Sequence, residues 1–156
     1  MPDKLRIIID TREQTPLVFD QELVVAEAGT LNHGDYSVFG LTDMVVVERK
    51  SLPDLVACVG RERDRFEREL VALRGYHCRA VVIEATLKQI EAGNWRGQVL
   101  PQHVLGSIAS WRVKYQIDFV YSGSAESAAG EVYRLLHKYH DYLDSFSKRL
   151  KNAMAT

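Results

Sequence analysis

The chain has 156 residues, about one domain, of which 46% are hydrophobic and 26% charged, a composition that excludes the disordered, collagen-like and low-complexity classes. Twenty Lys and Arg against 21 Asp and Glu give a net charge of −1, which argues against a nucleic-acid binder that relies on excess positive charge alone, whereas a carboxylate-rich metal site would be compatible with it. No apolar run approaches the roughly 18 residues of a membrane span, the N-terminal apolar stretch is too short for a signal peptide, and the two cysteines lack disulfide-scaffold or zinc spacing.

Strands dominate the first third of the chain. A β-branched run predicts a strand over 5–10, and a weaker strand follows over 23–27. Two further strands, over 34–39 and 44–50, flank a four-residue loop over 40–43. This arrangement predicts a β-hairpin.

Helices then alternate with strands. Ser51 and Pro53 predict the start of a helix over 52–59, which Gly60 ends. The later elements are predicted helices over 61–74, 86–92, 101–115 and 125–150, with strands over 80–84 and 117–121. The order predicts an α/β fold, a mixed sheet with helices on both faces. We expect a single domain over 1–150 and a frayed tail over 151–156.

The hairpin brings two carboxylates together. With the loop centred between Leu41 and Thr42, Asp35 lies opposite Glu48. Opposite residues on antiparallel strands have β-carbons about 4.5–5.5 Å apart. Two carboxylates at that distance repel each other unless a cation lies between them. Their oxygen donors favour Mg²⁺ or Mn²⁺ over zinc.

A lysine joins this pair on the same face of the sheet. Because strand side chains alternate, Lys50 shares the face of Glu48, while Arg49 points away. An ammonium beside a metal-bound water can orient the water, help to deprotonate it or stabilise a developing oxyanion. Two acids and a lysine on one face therefore predict a site that hydrolyses a phosphodiester.

The end of the first strand adds further polar groups. Asp10 and Glu13 supply two more acids, and Arg12 could clamp a phosphate. Each segment taken alone has a simpler interpretation as a turn, a solvated strand end or a polar loop. Their conjunction beside the buried run 45–47 favours a cleft over a solvated edge.

These residues resemble a known family. The ordered string Asp10-x-Arg12-Glu13, Gly34-Asp35 and Glu48-Arg49-Lys50-x-x-x-Asp54 is similar to the nuclease domain of the XPF family of structure-specific endonucleases. That family is a branch of the restriction-endonuclease-like PD-(D/E)XK superfamily, and the resemblance covers about residues 5–140. It implies a restriction-endonuclease-like mixed central sheet flanked by helices, and an Mg²⁺-dependent DNA endonuclease in which Mn²⁺ would substitute.

The resemblance also implies roles for individual residues. It makes Asp35 and Glu48 metal ligands and Lys50 the catalytic lysine, with Asp10 and Glu13 completing the acidic site and Asp10 as a further ligand. The residues implied to contact DNA are Arg12, Arg49, Arg61 and Arg65. For Arg49 the alternative is structural support, and for the arginines of 61–74 it is a salt-bridged solvated face.

Partners follow from the same resemblance. Many members continue into tandem helix-hairpin-helix modules, which this sequence lacks, so recognition of branched DNA would be weaker, absent or supplied by a partner or a longer parent chain. The nuclease domain of the family dimerises. Apolar residues of the last helix belong either to such an interface or only to the core; they are Val132, Leu135, Leu136 and Tyr139.

We therefore expect an endonuclease that acts on branched, flap or fork DNA in repair or recombination. The expected location is cytoplasmic, with the nucleoid in a bacterium or phage-infected cell, and not secreted. A non-catalytic DNA-binding scaffold subunit, or a junction resolvase or restriction-type nuclease, is the alternative. The intact set of Asp35, Glu48 and Lys50 favours a catalytic protein.

Overall fold

The computed structural model describes residues 3–155. The strands are β1 (Leu5–Asp10), β2 (Val24–Gly29), β3 (Tyr36–Val38), β4 (Val45–Ser51), β5 (Cys78–Glu84) and β6 (Asp118–Tyr121). The helices are α1 (Leu52–Val59), α2 (Arg63–Leu73), α3 (Leu87–Ala92), α4 (Pro101–Tyr115) and α5 (Ala125–Ala155). The predicted elements are present, with boundaries shifted by a few residues.

The strands form one mixed sheet in the order β2-β1-β3-β4-β5-β6. Strand β3 is antiparallel to both of its neighbours, whereas β1–β2, β4–β5 and β5–β6 are parallel pairs. Helices cover both faces of the sheet, so the predicted α/β class is confirmed. Both antiparallel pairs therefore involve β3, the first strand of the hairpin.

The alternation of side chains along β4 divides the core in two. Val46 packs with α1, α2 and α4 on one face, which we call the front face. Val45 and Val47 pack with α5 on the other, the back face. Residues 48 and 50 continue the front-face series, and residue 49 continues the back-face series. The end of β4 therefore presents neighbouring residues to opposite layers of the molecule.

The start of α1 and the corner after it are fixed by local hydrogen bonds. The Ser51 hydroxyl accepts from the Asp54 backbone N–H at 3.3 Å, which caps α1 directly after β4. At the other end, the Glu62 N–H donates to the carbonyl of Ala57 at 2.9 Å, and α2 begins at Arg63. The predicted helix start at residue 61 was two residues early because these residues form the turn of the α1–α2 corner.

Helix α5 has 31 residues and is buried along only part of its length. Val132, Leu136 and Tyr139 are buried in the back-face core, and Leu135 is partly buried against it. Residues 151–155, predicted to fray, are helical and exposed. No helix within residues 3–155 combines the length and apolarity that a membrane span requires.

Candidate active site

The hairpin has the predicted register. Tyr36 pairs with Val47, and the backbone N–H of Asp35 donates to the Val47 carbonyl at 2.9 Å. Extension of this register by one residue places Asp35 opposite Glu48. Both side chains lie on the front face of the sheet.

Gly34 allows the chain to enter β3 at this point. Its φ is +76°, a backbone conformation that side-chain-bearing residues rarely adopt. A β-carbon on Gly34 would lie only 2.1 Å from Cγ2 of Val46. The glycine therefore lets the backbone approach β4 closely enough for the next residue, Asp35, to face Glu48.

The two carboxyl groups form a buried pair. Burial raises the pKa of Asp35 to about 6, although its carboxylate accepts a 2.8 Å hydrogen bond from the Arg49 backbone N–H, which acts in the opposite direction. Burial also raises the pKa of Glu48 well above its usual range, and the charge of Asp35 adds to this effect. When protonated, Glu48 donates a hydrogen bond to Asp35. A pair held this closely favours either a shared proton or a bound cation.

Lys50 places a cation beside this pair. Its Nζ lies 3.5 Å from Oε1 of Glu48 and 5.0 Å from the centre of the Phe66 ring, and only 12% of the side chain is exposed. Burial alone would lower the pKa of Lys50, but Glu48 and other nearby negative groups outweigh it and hold the pKa above its usual value. Lys50 is therefore an ammonium, able to orient or stabilise negative charge rather than to accept a proton.

Asp10 holds Arg12 at the edge of the same site. Its Oδ1 accepts from the Leu31 N–H at 2.9 Å, and its Oδ2 accepts from the Arg12 Nε at 2.6 Å. Burial would raise the pKa of Asp10, but these hydrogen bonds lower it. The Arg12 guanidinium also feels the charges of Asp35 and Glu48, which together with Asp10 raise its pKa. Arg12 is 67% exposed and can meet a ligand.

Within residues 3–155, no group of three or more His, Cys, Asp or Glu side chains is placed to hold a metal ion. Asp10 does not form such a group with Asp35 and Glu48, because its oxygens are hydrogen-bonded to the 10–12 turn and to Leu31. Its role as a metal ligand stays an untested prediction, and these contacts favour the positioning of Arg12 instead. Two carboxylates with substrate phosphates and water are nevertheless a usual ligand set for Mg²⁺.

Glu13 and Arg49 form a second network on the back face. Oε2 of Glu13 accepts from the Tyr36 hydroxyl at 2.8 Å and from Nη1 of Arg49 at 3.1 Å. Arg49 also pairs with Glu84 at the end of β5 and donates to the carbonyl of Thr15. With 16% of its side chain exposed, Arg49 is enclosed by protein. Of its two predicted roles, these contacts favour structural support over contact with DNA.

The other predicted DNA-contacting arginines lie on the α1–α2 corner and the first turn of α2. Arg61 is 84% exposed and Arg65 62% exposed, and both interact with Glu62. The charge of Arg65 also reaches Cys58, which lies beside Lys50. The two arginines are therefore accessible, although neither touches the carboxylate pair.

One residue near the site was not proposed for it from the sequence. Glu69 lies one helical turn after Phe66 on α2, and its charge acts on both Glu48 and Lys50. The signal was available in the spacing, since residues three apart on a helix share a face. Because basic and acidic residues alternate along α2, Glu69 was interpreted only as part of a solvated, salt-bridged face.

Comparisons with known proteins agree with this fold. A family model described as the ERCC4 domain matches residues 9–135. Two solved structures each match at 19% identity: XPF from Aeropyrum pernix, with a TM-score of 0.66 over 86% of this chain and 61% of that one, and XPF from Aeropyrum pernix in complex with DNA, with a TM-score of 0.70 over 88% and 66%. The chain thus spans slightly less than two thirds of each. No curated protein sequence matches it.

Proposed function

The chain belongs to the ERCC4 domain family, and we propose that it is a metal-dependent DNA endonuclease. The observation that supports this most strongly is the buried contact between Asp35 and Glu48, with the Lys50 ammonium 3.5 Å from Glu48 on the same face of the sheet. A binding surface alone would not need to bury two acids beside a single lysine, because such burial is unfavourable. Their burial is explained if a cation occupies the pair during function.

The donor atoms fit Mg²⁺, with Mn²⁺ as a substitute. Asp35 and Glu48 offer only carboxylate oxygens, and hard oxygen ligands suit these ions. An ion held there would lower the pKa of a bound water and polarise the phosphate. The Asp35–Glu48 pair would bind the ion, and Arg49 would fix one of the two ligands through its backbone N–H.

Two cations of the chain complete the proposed chemistry. Lys50 keeps its proton, so it would orient the attacking water and stabilise the charge that develops on the phosphate. Arg12 is oriented by Asp10 and faces the same carboxylates, so it would hold a phosphate oxygen beside them. Glu13 would act from the back face by anchoring Arg49.

The substrate that we propose is branched, flap or fork DNA, cut during repair or recombination. Arg61 and Arg65, exposed near the site, would contact the DNA backbone. A second subunit or partner bound through α5 is a further prediction. Beyond Tyr139, the exposed apolar residues of this helix include Leu150 and Met154.

The test is cleavage of labelled flap, fork, four-way junction and plain duplex DNA with Mg²⁺, with Mn²⁺ and with a chelator. We expect metal-dependent cleavage that falls by at least about a hundredfold in Asp35→Asn and in Lys50→Met. Glu131→Gln, an exposed carboxylate on α5, is the control and should cut normally.

Cleavage by Asp35→Asn at the rate of the unaltered protein would contradict the proposal. If the unaltered protein binds these DNAs without cutting any of them in either metal, the chain is a DNA-binding scaffold instead. A strong preference for the four-way junction or the plain duplex would favour a resolvase or a restriction-type enzyme.

A further inference from the structure

A polar cleft lies on the front layer, separate from the carboxylate pair. It has a volume of about 610 Å³ and is bounded by the α1–α2 corner, the loop 93–100 and the first half of α4. The polar residues that line it are Arg63, Gln98, Gln102, His103 and Ser107, and among the described residues no carboxylate lines it. A cleft of this size suits a small ligand, and Arg63 places a cation on its wall, paired on one side with Glu67.

Arg63 is held in a fixed orientation in this cleft. Its Nη1 donates to the Ser107 hydroxyl at 2.8 Å and to the carbonyl of Val59 at 3.3 Å. Its guanidinium carbon lies 5.1 Å from the centre of the Trp111 ring. Within residues 3–155, Nη2 of Arg63 makes no hydrogen bond. Its Nε lies 3.4 Å from Oε1 of Glu67, so the arginine offers one free, pre-oriented nitrogen, Nη2, to a phosphate oxygen.

His103 adds a second oriented donor. Its Nδ1 accepts a hydrogen bond from the Leu100 backbone N–H at 3.1 Å, so the neutral ring carries its proton on Nε2. The side chains of Gln98 and Gln102 form no hydrogen bond with the described residues and remain available to a ligand. The wall formed by α4 is open at Gly106, where a β-carbon would meet no atom within 4 Å.

A short chain of aromatic contacts connects this cleft to the active site. Lys50 lies 5.0 Å from the ring of Phe66, whose centre is 5.1 Å from that of Trp111, and Trp111 lies 5.1 Å from Arg63. Helix α1, with eight residues, spans about 12 Å between the same two regions. Nucleotides of one DNA strand are about 3.4 Å apart. A strand cut at the carboxylate pair would reach the cleft within about four nucleotides.

We propose that this cleft binds a phosphate-bearing nucleotide of the DNA strand that occupies the active site, a few nucleotides from the scissile bond. Arg63 and His103 would hold the phosphate, and the two glutamines would contact the sugar or base. The proposal rests on the proposed function for the path of the strand. It would make the cleft a determinant of where along the strand the cut falls.

Binding in the presence of a chelator tests this without requiring cleavage. The probe is a fluorescent 12-nucleotide thymidine strand, measured by anisotropy. Gly106→Leu fills the cleft from a helical position with open space in front of it, and Ala109→Leu is the matched control because it is exposed on the same helix outside the cleft. We expect Gly106→Leu to weaken binding about fivefold to tenfold and Ala109→Leu to change it less than twofold.

Two further measurements identify the ligand and separate this proposal from the nuclease. Thymidine monophosphate should compete with the 12-mer at least a hundredfold more weakly than an unlabelled 12-mer does. Mn²⁺ affinity, which reports on Asp35 and Glu48, should be the same in Gly106→Leu and the unaltered chain. If no protein cleaves DNA but Gly106→Leu still binds the 12-mer more weakly, the proposed nuclease activity is contradicted and nucleotide binding in the cleft is supported.

Equal affinity of Gly106→Leu and the unaltered chain for the 12-mer would overturn the proposal, as would the absence of measurable 12-mer binding. Competition by the mononucleotide as strong as that of the strand would also overturn it, since the cleft would then be a site for a free nucleotide. A double variant, Gln98→Ala with Gln102→Ala, provides a second test that does not alter helix packing. It should weaken 12-mer binding about threefold.

Discussion

The backbone N–H of Arg49 holds the carboxylate of Asp35 at 2.8 Å on the front face of the sheet. The side chain of Arg49 lies on the back face, where it pairs with Glu13 and Glu84. Because its side chain is anchored on the back face, Arg49 has a fixed backbone, and its N–H can hold Asp35 on the front face. The position of a proposed metal ligand therefore depends on contacts in the opposite layer of the molecule.

Removal of this anchor should destabilise the fold. Arg49→Met leaves two enclosed carboxylates without their partner, so we expect a loss of about 3 kcal/mol in the free energy of unfolding, measured in urea. Arg134→Met, which breaks the exposed pair with Glu131, should cost less than about 1 kcal/mol. Equal losses in the two variants would show that the Arg49 network does not stabilise the protein.

The raised pKa of Asp35 predicts how the stability of the metal-free protein depends on pH. The folded-state pKa of about 6 exceeds the ordinary 3.8, so the folded state binds more protons between these values, and stability falls as pH rises from about 4 to 6. Asp35→Asn removes this contribution, so relative to the unaltered chain it should gain stability as the pH rises from about 4 to 7. Urea unfolding in chelator at pH 4.5 and 7 measures the difference, and equal pH dependence in the two proteins would refute the prediction.

Substitutions at two glycines can distinguish the cost of a steric clash from the cost of backbone strain. Gly34 and Gly40 both have positive φ, +76° and +80°, but only Gly34 has an atom in the way of a β-carbon. Gly40→Ala should cost about 1–2 kcal/mol from strain alone, whereas Gly34→Ala should cost about 3–4 kcal/mol because Val46 must also move. Thermal unfolding ranks the two variants, and a larger loss for Gly40→Ala would contradict the described packing.

Asp10 can be tested as a positioning residue. Its contacts place it beside Arg12 rather than in a group of three metal ligands. We expect Asp10→Asn to lower the cleavage rate about tenfold while the Mn²⁺ dissociation constant, measured calorimetrically, changes less than twofold. Glu48→Gln should abolish Mn²⁺ binding. A comparable loss of Mn²⁺ affinity in Asp10→Asn would make Asp10 a ligand after all.

The central pair was predictable because it depends on local chain geometry. A hairpin with a short loop has few registers, and the alternation of side chains then determines that Glu48 and Lys50 share a face. The partners of Asp10 and Glu13 could not be predicted in the same way. Asp10 bonds to the backbone of Leu31 and Glu13 to the hydroxyl of Tyr36, contacts that depend on how β1, β3 and the following loops meet in three dimensions.

The enclosure of Arg49 on the back face, which favours the structural one of its two predicted roles, has a similar cause. Alternation correctly indicates that Arg49 points away from Lys50, but it does not indicate what covers the back face. Glu84 lies there because β5 runs parallel to β4, with Ser51 paired to Glu84. Parallel pairing between strands separated by two helices leaves no short-range signal in the sequence.

The cleft on α4 has one practical consequence. Both tryptophans of the chain contact a residue that lines it: Trp111 packs against Arg63, and the indole N–H of Trp95 donates to the carbonyl of Val99 at 2.8 Å. Occupancy of the cleft would alter the electrostatic surroundings of both indoles. Ligand binding in the cleft should therefore change the intrinsic tryptophan fluorescence of the unlabelled protein.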